Sequence, residues 1–97
     1  MTQSQQVYLF SAHKSNFPSA VFTSYAQAST WIESNHLSGI LMEYPQDQSC
    51  YDWAMAQGHF KDKSAIDRAP VFIAKFVSAY QRTWHFAHGE LLEHIDV

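Results

Sequence analysis

The sequence predicts an α+β domain in which a small, mostly antiparallel sheet of about four strands carries helices on one face, in the order ββαβααβ. Three observations lead to this prediction. Short apolar runs rich in aromatic and β-branched residues alternate with stretches of helical periodicity. Two segments open with helix-capping signals. Aromatic residues make up 15% of the 97 residues, so few side chains suffice to build a core.

The first third of the chain predicts a β-hairpin followed by a helix. Residues 7–12 and 20–23 are apolar, and each run has the composition of a strand. Ser24, with Gln27 three positions later, forms a capping box that predicts a helix start. Apolar residues then recur at helical spacing, and the helix is expected to end near 35–36.

The middle of the chain predicts a buried strand and a second helix. Residues 40–44 are largely apolar, and Pro45 is expected to end this strand. Ser49 is a suitable N-cap for a helix over 50–57, and Gly58 is a natural residue to follow its last turn.

The last third contains a segment whose residues suit either a helix or a strand. Pro70 suits the first turn of a third helix, but residues 69–80 are rich in Val, Ile and Phe, so strand remains open as an alternative. Residues 83–88 alternate between large and polar side chains and predict the last strand, ended by Gly89. The acidic tail, residues 90–97, is expected to be a short helix or a frayed end.

Residues 1–97 are expected to form one domain, with flexible ends at the polar residues 1–6 and the acidic tail 90–97. A single cysteine, Cys50, cannot form an internal disulfide, and the first residues have no signal-peptide character. Both features favour the cytoplasm. The formal net charge of −3 argues against nucleic acid and anionic membranes as partners and is compatible with a basic protein partner.

Three spaced motifs occupy the first and middle parts of the chain: F-P-S-x-V-F at 17–22, L-S-G at 37–39 and Y-D-W-A at 51–54. Together they resemble a family of small bacterial domains of unknown function, over residues 7–89. The resemblance implies no reaction and no catalytic residues. Small bacterial domains of this kind are often immunity proteins, so the resemblance also implies binding and neutralisation of a protein toxin.

Aromatic and acidic residues gather around the turn that contains Pro45, and Tyr and Trp are frequent anchors of protein interfaces. The candidate partner-binding residues are Glu43, Tyr44, Asp47, Tyr51, Asp52 and Trp53. The alternative interpretation is structural: Trp53 would be buried under the second helix, and Asp52 would only cap that helix.

Residues with catalytic or metal-binding potential are scattered. On a strand, His85 and His88 would point to opposite faces, and no C-x-x-C or H-E-x-x-H motif is present, so neither a metal nor a cofactor is expected. Cys50 with Asp52 and His59 suggests a thiol nucleophile, but a single cysteine in a small domain is more often an apolar filler. No enzymatic activity is expected.

The leading hypothesis is therefore a non-enzymatic immunity protein of the contact-dependent inhibition type, which binds a cognate, basic toxin. One alternative is a small ligand-binding or hydrolytic domain that uses a His and aromatic surface around Tyr80, His85 and His88. A further alternative is a self-associating structural module, present as a homodimer through a sheet edge or exposed aromatic residues.

Overall fold

The computed structural model describes residues 5–95, with only the backbone of Ile95. Over this range the chain is an α+β domain, as predicted, but its antiparallel sheet has five strands. The strands are β1 (Gln6–Ala12), β2 (Pro18–Phe22), β3 (Gly39–Pro45), β4 (Thr83–Ala87) and β5 (Glu90–Ile95). The helices are α1 (Tyr25–Ser34), α2 (Cys50–Ala56) and α3 (Pro70–Lys75), with a 3-10 turn at Ile66–Arg68.

The fifth strand corrects the prediction of a helical or frayed tail. The turn at Gly89, which has φ of 84°, reverses the chain, and β5 pairs antiparallel with β4 so that Glu90 lies opposite Ala87. The segment has no regular alternation of its own, so the open edge of β4 decides its conformation.

Parts of the two ends that were predicted to be flexible belong to strands where the structure describes them. Gln6 belongs to β1, and residues 90–95 belong to β5. The expectation for residues 1–4 and 96–97 lies outside the described residues.

The main core lies between α1 and one face of the sheet. The strands follow the order β2-β1-β3-β4-β5, and the register places Phe10 opposite Leu41 and Leu41 opposite Trp84. Paired residues in neighbouring strands share a face, so these three side chains form a line across the sheet. The buried residues of this core are Phe10, Ala28, Ile32, Leu41, Trp84 and Phe86.

The predicted N-cap of α1 by Ser24 is confirmed. The Oγ of Ser24 accepts a hydrogen bond from the backbone N–H of Gln27 at 3.3 Å. At the other end, His36 adopts a positive φ of 56°, and the N–H of Leu37 donates to the carbonyl of Ile32 at 3.0 Å. This left-handed exit turns the chain from α1 into β3.

Gly39 permits a close approach between β1 and β3. A Cβ at this position would overlap the carbonyl oxygen of Ser11 and lie 2.7 Å from Cζ of Phe10. The ring of Phe10 therefore occupies the space that any other residue at position 39 would fill.

A second aromatic cluster, here called the α2–α3 cluster, joins α2, the 3-10 turn and α3. The ring of Tyr51 lies at its centre, with centroids 5.7 Å from Phe60, 6.2 Å from Phe72 and 5.5 Å from Phe76. The radius of gyration, 14.8 Å, exceeds the value of about 12.5 Å typical of a compact chain of this length. The molecule is therefore elongated.

The open question over residues 69–80 is answered in favour of a short helix. Pro70 occupies the first turn of α3, and the helix ends at Lys75 because the next residue, Phe76, has an extended ψ of 127°. Val77 and Tyr80, which continue the apolar spacing in the sequence, therefore lie beyond the helix. Within residues 5–95, none of the helices is long and apolar enough to cross a bilayer.

Leu41→Ala tests the importance of the line of side chains across the sheet. Leu41 is completely buried between α1 and its strand neighbours, so the cavity should lower the free energy of unfolding by about 2–5 kcal/mol. Val21→Ala, on an exposed side chain of β2, is the matched control and should change it by about 0.5 kcal/mol or less. Urea denaturation measures both, and equal losses would contradict this placement of the core.

Candidate functional site

The turn between β3 and α2 carries the aromatic and acidic residues that the sequence singled out. The chain leaves β3 at Pro45, passes Asp47 with a positive φ of 58°, and enters α2 after Ser49. The Oγ of Ser49 accepts a hydrogen bond from the backbone N–H of Asp52 at 2.9 Å, which confirms the predicted cap. The side chains of Asp47 and Asp52 are exposed.

Tyr51 lies inside the protein rather than on its surface. Its side chain is 5% exposed, and its hydroxyl donates to the backbone carbonyl of Asp67 at 2.9 Å. Burial raises the pKa of this phenol. Tyr51 therefore holds the 3-10 turn against α2 and is not placed to contact a partner.

Trp53 belongs to a group of three neighbouring rings that we call the aromatic ladder: Trp53, His59 and Tyr80. The ring centroids of Trp53 and His59 are 5.4 Å apart. Those of His59 and Tyr80 are 3.9 Å apart, and the two rings are nearly parallel at 6°. Trp53 is half-buried, whereas His59 is exposed and Tyr80 is 41% exposed. The ladder thus offers stacked ring surface to solvent beside the acids of the β3–α2 turn.

Glu43 takes part in an ion pair within the sheet. Its carboxylate accepts two hydrogen bonds from the guanidinium of Arg82, at 3.0 Å from Nε and 2.7 Å from Nη2. The hydroxyl of Tyr8 donates to the same carboxylate at 3.2 Å, and the guanidinium carbon lies 5.6 Å from the ring centre of Trp84. The pKa of the Tyr8 phenol is raised, first by burial and then by the nearby Glu43 carboxylate. Glu43 is thus engaged in holding β1, β3 and the start of β4 together.

Cys50 lies where α2 meets the end of β3. Its Sγ accepts a hydrogen bond from Nε2 of the buried Gln81 at 2.9 Å, and burial raises the pKa of the thiol. Burial also raises the pKa of the Tyr44 phenol, and the charge of the neighbouring Cys50 raises it further. A raised pKa disfavours the thiolate, the reactive form of cysteine.

The remaining candidate groups are not brought together. His59, which the sequence grouped with Cys50 and Asp52 as a possible thiol-nucleophile arrangement, stacks on Tyr80. His85 and His88 line separate hollows of about 530 and 550 Å³. Among residues 5–95, no group of three or more His, Cys, Asp or Glu side chains is arranged to hold a metal ion.

The aromatic ladder contains two residues that sequence reasoning did not join to Trp53. His59 follows α2 and Tyr80 precedes β4, so their stacking depends on how α3 returns the chain to the sheet. No local signal in the sequence indicates this contact, because stacking between distant residues leaves no periodic pattern.

The three sequence motifs each have a structural role in this fold. F-P-S-x-V-F spans Phe17 and β2, L-S-G spans the turn that ends in Gly39, and Y-D-W-A supplies α2 with its buried Tyr51 and Ala54. The antiparallel sheet, the close approach at Gly39 and the α2–α3 cluster together define a small α+β domain.

A family model described as a domain of unknown function (DUF7710) matches residues 7–92. The chain belongs to this family, which confirms the resemblance to a domain family of unknown function.

Comparison with curated proteins and with solved structures gives no significant match.

Arg82→Met is predicted to destabilise the fold through Glu43. The Glu43 side chain is 11% exposed and would lose its two charged hydrogen bonds, so the free energy of unfolding should fall by about 1.5–3 kcal/mol. A double-mutant cycle with Glu43→Gln, followed by urea denaturation, isolates the pair from the other contacts of Arg82. The control is Arg68→Met, at the exposed pair with Asp62, which should cost much less. Additive losses at Arg82 and Glu43 would show that the pair contributes nothing.

Cys50 is predicted to react slowly with a thiol reagent such as DTNB. Burial and the raised pKa both reduce attack by the native thiol, so at pH 8 the rate should be at least about tenfold below that of free cysteine. The same protein in concentrated urea is the control and should react at the ordinary rate. Rapid reaction of the folded protein would instead favour an activated nucleophile at this position.

Proposed function

We propose that this domain is a non-enzymatic binding protein, and specifically an immunity protein of the contact-dependent inhibition type that neutralises a cognate protein toxin in the cytoplasm. The observation that carries the proposal is the aromatic ladder, in which His59 and Tyr80 stack at the surface and the half-buried Trp53 lies tilted against His59. Membership of a family of unknown function neither supplies nor opposes this role.

The aromatic ladder suits a binding surface because its rings are already ordered. Tyr80 is fixed by its parallel contact with His59, and His59 also lies against Trp53. Ordering a side chain on binding costs conformational entropy, so a surface that is fixed beforehand binds at lower cost. Trp and Tyr are also the residues that most often dominate the energy of protein interfaces.

The charge beside the ladder favours a basic partner. Asp47 and Asp52 are exposed at the β3–α2 turn, whereas Glu43 is occupied by Arg82. Opposite charge increases the rate of encounter and restricts the choice of partner. A basic nuclease-type toxin meets this requirement. The domain would act by covering the toxin's cleft or a neighbouring surface, without chemistry of its own.

The binding role is tested by co-expression with the protein encoded by the neighbouring upstream gene. We expect the two proteins to co-purify and the domain to restore growth of cells that express the toxin. Absence of both capture and rescue would remove the toxin-neutralising role.

The binding surface is tested separately with single variants. Tyr80→Ala should weaken capture at least about tenfold, because it removes half of the parallel stack. Phe17→Ala is the matched control: it removes an aromatic ring that is 77% exposed but lies elsewhere, and it should leave capture unchanged. Equal effects of the two variants would show that the aromatic ladder is not the interface.

The acids are tested by neutralisation. Asp47→Asn together with Asp52→Asn should slow association and reduce its dependence on salt, because steering by charge is lost. Asn tolerates the positive φ at position 47. Glu33→Gln, at an exposed acid of α1, is the control and should have no effect. Unchanged association by the double variant would show that the partner does not recognise these charges.

A further inference from the structure

A hollow of about 530 Å³ lies on the face of the sheet opposite α1, and we call it the His85 hollow. Three side chains from neighbouring strands form a row in it, because Ile40 of β3 pairs with Ser11 of β1 on one side and with His85 of β4 on the other. Leu41, the next residue, is buried against α1, so Ile40 and its row face the opposite way. The volume lies within the range of about 300–1,000 Å³ that is typical of small-molecule sites.

Backbone hydrogen bonds fix the rim of the His85 hollow. The N–H of His13 donates to the carbonyl of Ser38 at 3.1 Å, which ties the turn after β1 to the residue before β3. Within that turn, the N–H of Ser15 donates to the carbonyl of Ala12 at 3.0 Å. Lys14 lies in the same turn, with a positive φ of 64°. Because the backbone of the rim is already ordered, a ligand pays only for ordering side chains.

The ionisable side chains that line the His85 hollow are of one kind. They are His13, Lys14 and His85, and among the residues that the structure describes no Asp or Glu lines it. The chain as a whole has a net charge of −3. The hollow is therefore a local exception to the charge of the molecule, and it attracts anions.

Several hydrogen-bond donors in the hollow are available to a ligand. Within residues 5–95, no hydrogen bond or ion pair engages the side chains of Ser11, Lys14 or His85. The hydroxyl oxygen of Ser38 accepts from the backbone N–H of His88 at 2.9 Å, which leaves the hydroxyl proton free to donate. An imidazole, an ammonium group and two hydroxyls thus converge on one space, as the few polar groups of a ligand site do.

The other part of the hollow is apolar. Leu92 of β5, which is 68% exposed, lines it, and Ile40 is 40% exposed. Glu93 pairs with His85 in the sheet, but Leu92 is the residue of β5 that lines the hollow, and no ion pair joins Glu93 to His85. The hollow therefore combines donors for an anion with exposed apolar surface for the rest of a ligand.

We propose that the His85 hollow binds a small organic anion, in which a phosphate or carboxylate group is attached to an apolar or aromatic body. Both anionic groups present the oxygen acceptors that Lys14, His85 and the serine hydroxyls require. The apolar body lies against Ile40 and Leu92. This site shares no residue with the aromatic ladder and does not depend on the proposed function.

The first experiment is an NMR titration at low salt with phenyl phosphate and, separately, phenylacetate. We expect the backbone amide signals of residues 11–15, 38–40 and 85–87 to shift, with a Kd of about 1 mM or below. The anion that binds more tightly identifies the preferred group. Added salt should weaken binding, because opposite charges are in contact. If neither anion shifts these signals at about 10 mM, the proposal is overturned.

Benzyl alcohol is the matched neutral ligand. It carries the same ring without the charge, so it should bind at least about tenfold more weakly than the better anion. Equally strong binding by benzyl alcohol would show that the hollow recognises only the ring, and this too would overturn the proposal.

Two variants remove the donors in turn. Lys14→Asn removes the charge and keeps a residue type that tolerates the positive φ. His85→Leu keeps a similar volume without the imidazole. Each should raise the Kd of the better anion at least about tenfold, with unchanged circular dichroism. Lys61→Asn, at an exposed lysine in the loop after α2, is the control and should bind like the wild type. Equal effects of the two lysine variants would show that the anion responds only to net charge.

A third variant should have the opposite effect. Glu93→Gln removes a negative charge from the residue paired with His85, so it should tighten binding of the anion at least about twofold. Glu33→Gln, at an exposed acid of α1, changes the net charge equally and should leave the Kd unchanged. The same Kd for both variants would place the anion away from His85 and contradict the assignment of the site.

Discussion

The contact between α1 and the aligned side chains of Phe10, Leu41 and Trp84 is the interaction on which the rest of the structure depends. These residues come from three strands that are distant in sequence, and α1 covers them with Ala28 and Ile32, which are fully buried. Because side chains alternate across a strand, a slip of one residue in any of these strands would turn an apolar side chain away from α1. The core thereby fixes the register of β1, β3 and β4. That register in turn places Arg82 beside Glu43 and leaves the edge of β4 open for β5.

The α2–α3 cluster stabilises the two short helices α2 and α3. Helices of seven and six residues are too short to be stable alone, so α2 and α3 depend on the aromatic cluster around Tyr51. This cluster is small and can cover only one side of each helix. The outer side of α3 consequently remains apolar and exposed. The ring of His59 stacks on Tyr80 and lies beside Trp53 at another boundary of the cluster. The aromatic ladder and the exposed side of α3 thus both arise because a second, small core has been added to one end of the sheet.

The candidate site was only partly accessible from the sequence. The pattern around Pro45 drew attention to the α2 region, where Asp47 and Asp52 are exposed and Trp53 is half-buried. Residue type alone could not show that Tyr51 is buried and that Trp53 is only half-buried. Tyr and Trp are both typical anchor residues of protein interfaces. Tyr51 is buried because it lies on the side of α2 that faces Phe60, Phe72 and Phe76. In the same way, Glu43 looked like a free surface acid until its strand neighbours placed Arg82 against it.

The sequence by itself determined the features that depend on neighbours a few residues apart. These include the capped starts of α1 and α2, the alternating strand at 83–87, and the α+β class. Only the tertiary structure decided that the acidic tail becomes β5, that α3 ends at Lys75, and that His59 lies on Tyr80. The physical reason is how far apart along the chain the interacting residues lie. A cap or a periodic face is completed within one or two turns of the chain, whereas a strand edge or a ring stack is completed by a partner that folding brings from elsewhere.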